Sequence, residues 1–129
     1  MCRYLLPATL CFFLLVSSPM AAPVRDVSPA EARELLSKAP LPFLLDVRTT
    51  GEFMQVRIAG AQLIPIDQVL ARQGEIPQNR PLVVYCAVGS RSSQVAGYLA
   101  QKGYAEVYNM SGGIMGWQVR GYPVLQGAP

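Results

Sequence analysis

Six residues concentrate the reactive chemistry of this sequence: Cys86-Ala87-Val88-Gly89-Ser90-Arg91, with Ser92 behind them. They stand between Leu82-Val83-Val84-Tyr85, a run suited to a buried strand, and a segment whose Val95, Ala96, Tyr98 and Leu99 recur at helical spacing. A loop joining such a strand to such a helix can turn several backbone N–H groups inward. The helix start adds further unpaired donors and the positive end of its dipole, so the loop forms an anion cradle. A thiol at the first position faces those donors and the guanidinium of Arg91. Its thiolate is favoured, and its pKa is expected below the free value of about 8.5. The same donors can hold the anionic sulfur of a persulfide. Gly89 supplies the positive φ that the curl requires, while Ala87, Val88 and Ser90 are small and leave the cradle open. A lone cysteine ending an apolar strand also fits an inert core position. Such a position needs neither a glycine three residues on nor an arginine five residues on.

A second apolar run, Leu41 to Val47, places the carboxylate of Asp46 at a strand end. Alone it reads equally well as a cap on the following loop. Arg91 sits near a helix start, where the dipole disfavours a cation. That position asks for an acidic partner, and Asp46 is the nearest candidate if the two strands are neighbours. The chain contains no histidine, which removes Ser-His-Asp triads, Cys-His dyads and histidine-containing metal sites together. The 11 basic and 8 acidic residues give a formal charge of +3, and the basic residues are scattered singly. That is a solvated surface and not a nucleic-acid stripe.

Residues 1–22 read as a cleaved secretory signal peptide: Arg3 near the start, an almost wholly apolar run from Leu5 to Val16, then small residues to Ala22. The run is shorter than the roughly 20 residues of a membrane span, and cleavage is expected near Ala21 or Ala22, with an uncleaved anchor as the alternative reading. The product is expected to be periplasmic or secreted, without stable membrane insertion. Cys2 and Cys11 leave with the signal, so residues 23–129 keep Cys86 alone and no internal disulfide is possible. Loss of Arg3 lowers the formal charge from +3 to +2. The remaining length, with 51% hydrophobic residues overall, suits one domain.

The elements that must position Cys86 and Asp46 alternate along residues 23–129. Ser28-Pro29-Ala30-Glu31 is a capping-box helix start, and the helix should run to about Lys38. Leu41 to Val47 is a strand, Thr50 to Val56 a short helix, Ala61 to Ile64 a short strand, and Asp67 to Ala71 a helical turn. Gln73 to Arg80 reads as a polar loop. The Pro81 to Tyr85 strand, the reactive loop and a helix ending near Gly103 follow. Glu106 to Met110 is a strand and Gly112 to Val119 a last helix. Such alternation argues an α/β domain with a mainly parallel sheet, in which ligands sit beyond the carboxyl ends of the strands.

Several of these segments, taken in order, resemble the single-domain rhodaneses, a sulfurtransferase family. They are Leu45-Asp46-Val47-Arg48 with Glu52-Phe53, Ile58-Ala59-Gly60-Ala61, Val83-Val84-Tyr85-Cys86, the Cys-x-x-Gly-x-Arg-Ser loop, Gly103-Tyr104, and Gly112-Gly113-Ile114-Met115-Gly116-Trp117. With the apparent signal peptide, the likeness is to the periplasmic bacterial type, over a core of about residues 27–124. The resemblance implies a five-stranded, mainly parallel sheet flanked by helices on both faces. It also implies a nucleophilic Cys86 that takes sulfane sulfur from thiosulfate or a similar donor. Cys86 then carries a persulfide and passes the outer sulfur to a thiophilic acceptor such as cyanide or a thiol. The active-site loop role falls on Ala87, Val88, Gly89, Ser90 and Arg91, and loop support on Asp46, with Arg91 as its candidate partner. Arg48 with Glu52 is expected to form a structural ion pair, and Gly112, Gly113 and Trp117 to serve packing and turns. No metal or organic cofactor and no nucleic-acid partner is implied, and no protein partner is named.

The sequence departs from the family at Val56-Arg57, where Gly-His is common, and Ala87 and Val88 bring no charge to the cradle. Two other readings stand beside sulfur transfer. Rhodanese-like modules also serve as non-catalytic binding domains, usually after losing the cysteine. A cysteine-dependent phosphatase would use a similar cradle, but tyrosine phosphatases place five residues between Cys and Arg. Here there are four, preceded by Tyr85.

Overall fold

The computed structural model describes residues 14–16 and 23–129. Apart from Leu14–Val16, the expected signal peptide lies outside the described residues. No described helix is long and apolar enough to cross a membrane.

Five strands form one sheet: β1 (Arg25–Val27), β2 (Phe43–Asp46), β3 (Gln62–Leu63), β4 (Leu82–Tyr85) and β5 (Val107–Met110), in the order β1-β5-β4-β2-β3. Every pairing is parallel. β1 has no counterpart among the strands read from residue patterns, because three residues carry too little alternation to stand out. Its edge position is fixed by pairing with β5, Arg25 against Tyr108 and Val27 against Met110.

The helices are α1 (Pro29–Leu35), α2 (Thr50–Gln55), α3 (Val69–Arg72), α4 (Ser90–Gln101) and α5 (Gly113–Val119). The capping box of α1 forms as expected: Glu31 N–H donates to Ser28 Oγ at 3.1 Å and Ser28 N–H to Glu31 Oε1 at 3.2 Å. α1 stops at Leu35 rather than Lys38, before the prolines at 40 and 42, whose preceding residues are biased away from helix. A second capping box, Thr49 with Glu52, starts α2. The stretch expected to be a polar loop contains a 3-10 turn, Gln73–Glu75, and Ile76 is buried.

Strand alternation sorts the core into two layers. Leu45, Val47, Val84 and Cys86 pack with Val95, Ala96 and Leu99 of α4 and with Val69 of α3. Leu44, Val83 and Tyr85 pack on the other face with Ala32 of α1 and with Ile114 and Trp117 of α5. β4 is the central strand and is buried along its whole length. Each fully buried aliphatic side chain there contributes roughly 1.5–3 kcal/mol relative to exposure. In the register Leu45↔Val84 and Asp46↔Tyr85, β2 and β4 end side by side. This places the Asp46-Arg48 and Cys86-Arg91 segments together beyond the carboxyl ends of the strands.

Candidate active site

Cys86 follows the last residue of β4 and is buried and unpaired with any other cysteine. The backbone reverses over Ala87-Val88-Gly89, and α4 begins at Ser90 with Gly89 as its N-cap. Gly89 has φ +107°, the left-handed region expected of it. A Cβ at that position would also come within 3.3 Å of Gly112 N.

The curl aims donors at the sulfur. Gly89 N–H donates to Cys86 Sγ at 3.1 Å, and Ser92 Oγ lies 3.3 Å from Sγ and 3.2 Å from Gly89 O. Burial pushes the Cys86 thiol up. The Ser92 hydroxyl and the N–H groups of Ser92, Gly89 and Val88 outweigh that effect and leave the thiol below its ordinary value. The cradle anticipated from the loop is therefore built of backbone donors plus one hydroxyl. Ser92 stands out only in three dimensions. Its signal in the sequence was a hydroxyl residue in the first turn of the helix, where one turn carries it back over the cysteine.

Arg91 does not contribute as expected. Its Nη1 and Nη2 donate to Glu52 Oε1 and Oε2 at 2.8 and 2.9 Å, a two-point pair across the mouth of the loop. Both side chains are 32% exposed. The Arg91 hydrogen bonds hold the Glu52 carboxyl well below the usual range, at about 2, although burial opposes them and Thr49 assists. Glu52 in turn raises the Arg91 guanidinium, with Cys86 and Asp46 contributing less.

Asp46 and Arg48 form the other pair, so the expected partnerships are exchanged. Arg48 Nη2 lies 2.7 Å from Asp46 Oδ2, and Arg48 Nε and backbone N–H donate to Oδ1, each at 3.0 Å. The two side chains are 2% and 0% exposed. Arg48 Nη2 also donates to Val56 O at 2.6 Å, and the guanidinium lies 5.5 Å from the Tyr85 ring centroid. Burial disfavours the Arg48 charge, but Asp46 outweighs it and holds the guanidinium above its ordinary value. Asp46 therefore braces the β2–α2 turn, which carries Glu52, and does not touch Arg91. The reason is reach: Arg48 is only two positions along from Asp46, whereas Glu52 projects from α2 toward the start of α4.

The loop is clamped from behind by α5. Ile114 N–H donates to Cys86 O at 2.9 Å and Met115 N–H to Ala87 O at 3.1 Å. Gly113 makes the approach possible, since at its φ of +58° a Cβ would lie 2.5 Å from Cys86 O and closer still to Ala87 O. The packing glycine of the sequence reading is thus a contact residue of the reactive loop. Outside the clamp, Val88 and Met115 are 57% and 56% exposed.

Residues 28–120 match a family model described as "Rhodanese-like domain". The chain is 35% identical over 102 residues to a protein named "Sulfurtransferase" from Allochromatium vinosum, covering 79% of this chain and 95% of that one. It is 31% identical over 99 residues to the thiosulfate sulfurtransferase GlpE of Actinobacillus succinogenes, covering 77% and 88%. Among solved structures, a rhodanese-related protein from Thermoplasma volcanium is similar at a TM-score of 0.72 and 30% identity, over 78% of this chain and 97% of that one. The family match runs from the cap of the first helix to the end of the last and includes both strand ends of the site, so this chain belongs to the rhodanese-like domain family.

Proposed function

We propose that this protein is a sulfurtransferase in which Cys86 is the nucleophile, and that it moves sulfane sulfur from thiosulfate or a similar donor to a thiophilic acceptor. The observation that carries this reading is the Cys86 sulfur itself, met by the Gly89 N–H and the Ser92 hydroxyl and lowered in pKa despite burial. The Cys86 thiolate attacks the terminal sulfur of the donor. An Sγ–S bond forms, the donor's S–S bond breaks, and sulfite leaves with the bonding electron pair when thiosulfate is the donor. The terminal sulfur of the resulting persulfide is anionic, and the loop N–H groups are the available donors for it. An acceptor then attacks that outer sulfur and releases the Cys86 thiolate, a better leaving group because its pKa is depressed. Ala87, Val88, Gly89, Ser90 and Arg91 form the loop that accomplishes this, with Asp46 supporting the neighbouring turn. The apolar run at Leu5–Val16 supports export by a cleaved signal, hence a periplasmic or secreted enzyme.

A second reading, a binding module that uses the loop surface without chemistry, is favoured by one feature: Cys86 is 0% exposed. Sulfur transfer requires the loop to admit a donor's terminal atom, and binding does not. Intact mass of the purified protein before and after thiosulfate separates the two. Transfer predicts a gain of one sulfur atom that cyanide removes as thiocyanate and that Cys86→Ser abolishes. No gain with any sulfane donor, in a protein that still folds, would leave the binding module.

A further inference from the structure

The mouth of the reactive loop carries no spare charge. The one basic side chain among residues 86–92 is Arg91, and both its terminal nitrogens are taken by Glu52. The segments around it are equally closed. α5, Gly113–Val119, has no charged residue, α2 has Glu52 alone, and at the end of β2 the Asp46 carboxylate is matched by Arg48. The acids and bases of these segments thus form two closed pairs, Asp46–Arg48 and Glu52–Arg91, with no net charge between them, while the Arg57 guanidinium behind α2 is held on the carbonyls of Phe53 and Gly127. Among the side chains open to solvent beside the loop, the large ones are apolar, Val88 and Met115, and the small ones are neutral hydroxyls such as Ser90. Val88 is in the loop, and the Met115 backbone is hydrogen-bonded to Ala87, the residue before it.

Thiosulfate is a small dianion, and a site discriminates for it by offering uncompensated positive charge. Here the ion pair holds that charge back. Resting on the sulfur-transfer reading above, we propose that Glu52 is a specificity-determining residue: by occupying Arg91 it selects against dianionic sulfur donors and in favour of organic sulfane donors whose apolar group rests on Val88 and Met115. A thiosulfonate, R–SO2–S⁻, represents the class. The Cys86 thiolate bonds to its terminal sulfur, the bond between that sulfur and the sulfonyl sulfur breaks, and the sulfinate R–SO2⁻ departs with the electron pair. Charge is conserved, one negative charge on the persulfide and one on the sulfinate, and no oxidant is needed.

Glu52→Gln tests the assignment, because glutamine at the third helical position preserves the capping box with Thr49 while removing the charge that neutralises Arg91. The assay compares thiosulfate with benzenethiosulfonate on the same preparation, with cyanide as acceptor, and reads KM and kcat separately. The wild type is expected to have the lower KM for benzenethiosulfonate. In Glu52→Gln the KM for thiosulfate should fall by roughly three- to tenfold, the scale of one freed charge at a half-exposed site. That gain should fade as salt is raised, while the ratio of the two KM values moves toward thiosulfate. Val88→Lys, which adds a cation at an exposed loop position without disturbing the pair, should act in the same direction. A lower wild-type KM for thiosulfate than for benzenethiosulfonate, or a KM ratio unmoved and salt-independent in both variants, overturns the role of Glu52 and leaves sulfur transfer standing. Failure of both donors to load Cys86 in the wild type overturns the two together.

Discussion

Replacing Gly113 by alanine should damage the protein far more than replacing its neighbour Gly112, although both glycines have positive φ, +58° and +81°. Left-handed backbone costs an alanine about 1–2 kcal/mol in either place. At Gly112 that is the whole effect, since the nearest atom to a new Cβ is Gly116 Cα at 3.8 Å, an ordinary contact. At Gly113 the Cβ would meet backbone of Cys86 and Ala87, 2.5 Å from Cys86 O, and no rotamer change relieves a backbone clash. α5 must back away from the loop and give up the Ile114 N–H bond to Cys86 O and the Met115 N–H bond to Ala87 O. With roughly 0.5–1.5 kcal/mol net for each lost bond and lost packing around Ile114, Gly113→Ala should exceed Gly112→Ala by about 2–4 kcal/mol. For a domain of this size that is a difference in Tm on the order of 10 °C. Urea and thermal unfolding of the two variants, prepared side by side, measure it. A difference under about 0.5 kcal/mol would refute the claim that α5 clamps the loop through a contact only glycine permits.

Three further outcomes follow from the charges around the loop. The alkylation rate of Cys86 by iodoacetamide should titrate below the free-thiol value of about 8.5; Ser92→Ala should raise the midpoint and Arg91→Ala should move it less, and the reverse order would mean that the guanidinium, not the hydroxyl, holds the thiolate. Asp46→Asn should cost about 3–5 kcal/mol in chemical denaturation, because it strands the buried Arg48 guanidinium, and an unchanged transition would place that pair in solvent. Glu52 has its carboxyl pKa lowered from 4.5 to about 2 in the folded protein, so its stabilisation is complete above pH 4.5 and is lost as pH falls toward 2; Glu52→Gln should flatten the decline of the urea midpoint across that window, and parallel curves for variant and wild type would contradict it.

What the sequence determined was local. The Ser28–Glu31 capping box, the apolar β4 run and the position of Gly89 each act through bonds or sterics within a few residues, so residue types at short spacing sufficed to read them. The alternation of strand and helix likewise implied a parallel sheet with Asp46 and Cys86 at strand ends, and both are there. β1 lay below that threshold, being three residues whose pairing partner is about eighty positions away.

Tertiary structure alone decided which charges meet. Arg48 and Arg91 each had two acids within plausible reach, Asp46 and Glu52, and the sequence favoured the opposite assignment. The sheet order sets β2 beside β4, and the Thr49 capping box turns α2 so that Glu52 faces the start of α4, which leaves Asp46 to its near neighbour Arg48. The same holds for Ser92 on the sulfur and Gly113 on the loop backbone. An ion pair or a close contact depends on distances of a few tenths of an ångström between segments far apart in the chain, and those are fixed by how helices pack on the sheet and not by any spacing along it.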